Sequence, residues 1–230
     1  MNKKMIIGAE HEFHNSEYAS WWADRFQITP DRPSCFDTLG DILENSISDN
    51  GKILELGSGP GYLADYLTDR FSTRFYHCAD FSEAMLSLAN ERLGSRRASA
   101  KLTKADLLDP NWAKDFDQDY DAVVSTWALY DLGPLMQSGR YKNSSPLISK
   151  GGVLVNADFI KPMGSPFEFE PGRILIEEHL KLMTSIGFNP TSCVKKFEVS
   201  IENPESHNNY ACMIGVAQQI QHTTQLILDD

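Results

Sequence analysis

The stretch 53-ILELGSGPGYL-63 passes from a short apolar run through Gly57, Gly59 and Gly61 into a helical pattern. Glycines between a strand and a helix let the chain turn sharply and let a ligand approach the backbone. An ordinary tight turn is the plain alternative for the glycines alone. Spacing separates the nucleotide-binding loops. A phosphate-binding P-loop ends in Gly-Lys-Ser/Thr, whereas Gly61 is followed by Tyr62 and Leu63. A dinucleotide fingerprint needs glycine at position 62, which is tyrosine. Glu55 stands two residues before the first glycine; a carboxylate disfavours a pyrophosphate but favours a cationic amino-acid group.

Outward from this loop, strand and helix patterns alternate, which predicts a parallel sheet with helices on both faces. Strands are expected at Lys52–Leu56, Arg74–Ala79, Ala98–Ala105, Tyr120–Ser125 and Gly152–Ile160. Tyr62–Phe71 carries Leu63, Leu67 and Phe71 at helical spacing, and Ser82 reads as the N-cap of a helix ending before Gly94. After the fifth strand the rhythm changes. An amphipathic helix over Gly172–Ile186 precedes two strand-like runs, Val194–Ser200 and Tyr210–Ala217, that read as an antiparallel hairpin. The fold expected is α/β: a doubly wound, seven-stranded, mostly parallel sheet with a C-terminal hairpin and an N-terminal helical lid. Residues 1–50 form the helical extension, 51–217 the Rossmann-like domain and 218–230 a tail. In the extension, Tyr18, Trp21, Trp22 and Phe26 recur at helical spacing. A break over Thr29–Cys35 then separates them from a second helix, Phe36–Ile47.

The Ile53–Leu63 segment resembles the first motif of the class I S-adenosylmethionine-dependent methyltransferases, and the likeness extends along residues 50 to 160. Asp80, in 79-ADFSEAML-86, resembles that family's ribose-binding acid, and Asp106-Leu107 its adenine-contacting pair. Ser125–Leu132 (STWALYDL) resembles the motif lining the methyl-donor end, and Lys150-Gly151-Gly152 the turn before the fifth strand. The resemblance implies S-adenosylmethionine as cofactor and S-adenosylhomocysteine as product. It implies cofactor contacts from Glu55, Gly57, Ser58, Gly59, Gly61, Asp80, Phe81, Met85, Asp106, Leu107 and Ser125.

Tyr18, Trp22, Trp127 and Tyr130 are the candidates for the acceptor pocket, and packing is the alternative for Trp127 and Tyr130. Trp21 and Phe26 read as packing residues, while Phe159, Phe167 and Phe169 offer further apolar wall. Tyr130-Asp131 stands where some members carry histidine, so no histidine base is expected there. Asp131 and His179 are weak candidates for a base, and an already ionised acceptor needs none. His11-Glu12-Phe13-His14 has one residue between Glu12 and the second histidine where a zinc-protease motif has two, so no metal is expected.

Composition bounds the partners. A net charge of −11, with no basic cluster denser than Arg96, Arg97 and Lys101, argues against nucleic acid and anionic membranes. The four cysteines show no C-x-x-C spacing, and the apolar run Met5–Ala9 is too short for a signal-peptide core. A cytoplasmic monomer or homodimer acting on a small molecule is expected. The leading function is methyl transfer to an O, N or C centre. A cofactor-binding protein of the same fold with other chemistry, or a sensor, is the alternative.

Overall fold

The computed structural model describes residues 10–26, 32–133, 142–166, 169, 172–196 and 210–217. Seven strands form one sheet: β1 (Lys52–Leu56), β2 (Phe75–Asp80), β3 (Ala100–Lys104), β4 (Tyr120–Thr126), β5 (Ile148–Phe159), β6 (Phe188–Lys196) and β7 (Tyr210–Ala217). Their order is β3-β2-β1-β4-β5-β7-β6. The first five pair in parallel, and β7 lies antiparallel between β5 and β6. The chain winds one way from β1 to β3 and the other way from β4 to β5. The crevice between β1 and β4, at their carboxyl ends, is where such sheets bind ligands.

The helices are α1 (Ser16–Phe26), α2 (Arg32–Ser46), α3 (Tyr62–Arg70), α4 (Glu83–Leu93) and α5 (Ile176–Ser185). Alternate residues of the central strands feed two cores, one on each face. Ile53, Val124 and Val155 join Phe36, Leu39, Leu43 and Leu67 on one face. Leu54, Val123 and Leu154 meet Trp112, Phe116, Met183 and Phe188 on the other.

Several boundaries differ from expectation. The break over Thr29–Cys35 gives way to helix from Arg32, because Pro33 sits in the first turn, where its missing N–H costs nothing. The turn expected at Lys150–Gly152 lies inside β5, and a register shift between Tyr120 and Ala122 on β4 absorbs the irregularity. β6 starts at Phe188, six residues before the run at Val194, because Pro190 is tolerated on a strand at the sheet edge. α5 begins at Ile176, not Gly172. Phe167 and the tail 218–230 lie outside the described residues.

Among the described residues no helix is long and apolar enough to cross a membrane, and no group of three His, Cys, Asp or Glu could hold a metal.

Candidate functional site

A cleft of about 1050 Å³, counting its open mouth, lies at the carboxyl ends of β1, β2, β4 and β5. Its floor is the glycine loop. Gly57 and Ser58 donate their N–H groups to the Ala79 carbonyl at 2.8 and 3.0 Å, which pins the loop to the end of β2. Gly57 has a φ of +69°, and a Cβ there would run into the Ala128 side chain. Only glycine meets both demands.

Asp80 closes the same corner. Its carboxylate accepts the Gly59 N–H at 2.8 Å and the Ser82 N–H at 2.9 Å, so it fixes loop and helix start together. Burial pushes its carboxyl up to about 6, with the two N–H donors pulling the other way. Glu55 is 1% exposed and accepts the Tyr76 hydroxyl at 2.8 Å. Burial raises its carboxyl to about 8; the Tyr76 bond opposes this and the Asp80 charge adds to it.

Glu55, Gly57, Ser58, Gly59, Asp80, Phe81, Met85, Asp106 and Leu107 all line the cleft, as do Trp22, Trp127 and Tyr130. Three expected residues do not. Gly61 packs against Ala89 of α4. The Ser125 hydroxyl is buried in the sheet, donating to the Leu56 carbonyl at 2.9 Å, so it ties strands together and stands off the cleft wall. Tyr18 sits outside the cleft beside Glu12 and Asn15, its ring 5.4 Å from Trp21. Trp21, expected to pack on the domain, is 49% exposed, because this stretch of α1 offers the cleft only its Trp22 edge.

Phe13 supplies what Tyr18 does not. A 3-10 turn over Glu12–His14 is held to α4 by the Ser82 hydroxyl, which donates to the Phe13 carbonyl at 2.5 Å. The Phe13 ring then lies 5.1 Å from Trp22 and on the cleft wall. No periodicity marks Phe13; only its tertiary anchor does. The Tyr62 hydroxyl donates to the Ala23 carbonyl at 2.8 Å, joining α1 to the glycine loop.

The far end of the cleft is aromatic: Phe36, Trp127, Tyr130 and Phe159 line it. Trp127 has a φ of 48° and donates its N–H to the Ala157 carbonyl at 2.9 Å. A bulky residue held in the left-handed region persists only where its surroundings dictate it, and such outliers cluster at ligand sites. Asp158, fully buried, accepts the Phe159 N–H at 2.9 Å and the Asn156 side chain at 3.3 Å, and burial lifts its carboxyl to about 8. Asp131 lines the cleft. His179 is fully buried on α5, where burial lowers its ring to about 4, and it lies off the cleft wall.

Among the described residues the wall therefore holds four carboxyl side chains, Glu55, Asp80, Asp106 and Asp131, and no Lys, Arg or His. Those acceptors suit a ligand with cationic groups and hydroxyl donors, and oppose a pyrophosphate.

Comparison with known proteins gives the same direction. Residues 53–152 match a methyltransferase domain model. A malonyl-[acyl-carrier protein] O-methyltransferase of Bacillus cereus is 26% identical over 180 residues, covering 77% of this chain and 64% of its own length. An uncharacterized methyltransferase of Schizosaccharomyces pombe is 28% identical, covering 85% of this chain and 64% of its own length. The chain thus spans less than two thirds of these relatives. Among solved structures, magnesium protoporphyrin IX methyltransferase from Synechocystis with bound S-adenosylhomocysteine superposes with a TM-score of 0.69 at 15% identity, covering 90% of this chain and 96% of that one. The [4+2]-cyclase SpnF superposes with a TM-score of 0.62 at 12% identity, covering 79% of this chain and 80% of that one. At these identities the structural likeness concerns the fold alone.

Proposed function

We propose, from the match of residues 53–152 to a methyltransferase domain model, that the chain is a class I S-adenosylmethionine-dependent methyltransferase and transfers a methyl group from S-adenosylmethionine to a small-molecule acceptor. The observation that carries this reading is the acid-lined glycine cleft, with Glu55 and Asp80 buried beside the loop and, among the described residues, no basic side chain on the wall.

The residues present fit the cofactor. Asp80 would accept the ribose hydroxyls, Asp106 and Leu107 would flank the adenine, and Phe81 and Met85 would pack on it. Glu55 and the Gly57–Gly59 backbone would hold the amino-acid end. Bound there, S-adenosylmethionine supplies an electrophilic methyl group on a positively charged sulfur.

The chain's own contribution is then to orient the acceptor and exclude water. Trp127, Tyr130 and Phe159 wall the acceptor end, while Phe13 and Trp22 cover the cleft from the N-terminal side. Asp131 is the carboxylate placed to take a proton from a neutral acceptor. Buried His179, off the wall, is not.

Incubation of the full chain with methyl-labelled cofactor and a metabolite panel tests the proposal. Label in an acceptor supports it; a protein that binds cofactor and labels nothing favours the second reading. That reading is a cofactor-binding protein with other chemistry or a sensing role, and the superposition on a [4+2]-cyclase is what recommends it.

A further inference from the structure

Four aromatic rings form an unbroken file along the acceptor end of the cleft. Phe36 of α2 stands 6.3 Å from Trp127, just past β4, and Trp127 stands 6.5 Å from Phe159, the last residue of β5. Phe159 in turn meets Tyr130 edge to face, at 4.9 Å and 89°. All four rings line the cleft. The spacings are those of interacting aromatic pairs.

Three unfavourable backbone or burial features hold the file in place, and incidental packing requires none of them. Among the described residues Trp127 alone, glycines aside, has a positive φ, 48°, and its N–H donates to the Ala157 carbonyl at 2.9 Å. Its ring is thus set on the wall against the preference of its own backbone. Asp158 is fully buried between two of the ring-bearing residues, accepting the N–H of Phe159 at 2.9 Å and that of Tyr130. A carboxyl group is unfavourable there without such bonds, and they tie the Tyr130 and Phe159 backbones to one point. Gly172 lies so close to Tyr130 that a Cβ would land on the Tyr130 carbonyl oxygen, so main chain backs this ring directly.

An aliphatic surface would bury any apolar body; a file of rings discriminates further. Each ring has negative faces and a positive edge, which a second aromatic plane matches in offset or edge-to-face contact and a saturated ring does not. Resting on the methyltransferase reading above, we propose that the methyl acceptor is a planar aromatic compound whose ring lies against this file, its methylated atom turned toward the cofactor end. The selection is by shape and quadrupole. It holds whatever the charge on Asp131, the carboxyl group on this stretch of the wall.

The test uses two pairs of uncharged alcohols that differ only in saturation: 2-naphthylmethanol with decahydro-2-naphthylmethanol, and benzyl alcohol with cyclohexylmethanol. Their binding to the full chain saturated with S-adenosylhomocysteine is measured by calorimetry at pH 7. In at least one pair the aromatic member should bind at least about fivefold more tightly, the scale of one aromatic pair. The saturated members carry more apolar surface, so burial of apolar area alone gives the opposite order. Phe36→Leu and Phe159→Leu should each reduce the preference while S-adenosylhomocysteine affinity stays within about twofold. The wild-type pairs decide even where a variant does not fold. A preference below about fivefold in both pairs, no binding by any of the compounds, or an undiminished preference in both variants overturns the proposal. Failure of S-adenosylhomocysteine itself to bind shows in the first titration and instead overturns the reading beneath it.

Discussion

Glu55 gives the sharpest energetic prediction. Its carboxyl is raised from 4.5 to about 8 by burial beside Asp80, so at pH 7 it is about nine-tenths protonated in the ligand-free protein. The folded state holds a proton that the unfolded chain sheds above 4.5. Stability contributed by this group is therefore greatest in acid and falls as pH rises from 4.5 to about 8. At about 1.4 kcal/mol per pKa unit, the full swing is on the order of 5 kcal/mol. A ligand that brings an ammonium or sulfonium to this carboxylate restores the ordinary pKa and releases the proton. Cofactor affinity should then rise up to about tenfold per pH unit between pH 6 and 8. The ligand's own amino group titrates near pH 8, at about the value of any α-amine. The diagnostic quantity is therefore the difference between the wild type and Glu55→Gln. Titration calorimetry in buffers of different ionisation enthalpy should show close to one more proton released by the wild type at pH 7. An identical proton count in the two proteins would refute the placement of Glu55 against a cation.

Three further changes probe separate parts of the site. Gly57→Ala forces a left-handed non-glycine residue into the Ala128 side chain; about 2–5 kcal/mol of stability should be lost, read by urea denaturation. Ser82→Ala removes the cap that accepts the Met85 N–H at 3.1 Å and the bond to the Phe13 carbonyl. It should cost about 1 kcal/mol in thermal unfolding and speed release of S-adenosylhomocysteine in stopped-flow traces. Gly172→Ala drives a methyl into the Tyr130 carbonyl oxygen, so acceptor KM should rise while cofactor affinity by equilibrium titration stays within about twofold.

What the sequence made legible was local. The glycine loop, Glu55 and Asp80 announce themselves because turn geometry and charge sit within a few residues of each other. The central strands read clearly because both faces are buried and the apolar runs are continuous. Phe13 was invisible because a three-residue turn has no period and its place depends on Ser82, 69 residues away. Phe36 reaches the cleft wall only once α2 is folded against β5. Tyr18 and Trp22 share a helix, yet only Trp22 faces the cleft; spacing fixed their common face but not the angle at which α1 approaches. Ser125 stands off the wall for a related reason, since a residue at a strand's end can point its hydroxyl back into the sheet.

The central claim is that this cleft holds S-adenosylmethionine, and a calorimetric titration of the full chain with S-adenosylhomocysteine, set beside one with NADH, addresses it most directly. The expected result is saturable binding of one S-adenosylhomocysteine per chain, weakened at least about tenfold by Asp80→Ala through loss of a charge-assisted bond, and no heat from NADH. Binding of NADH without S-adenosylhomocysteine, or affinity unchanged in Asp80→Ala, would contradict it.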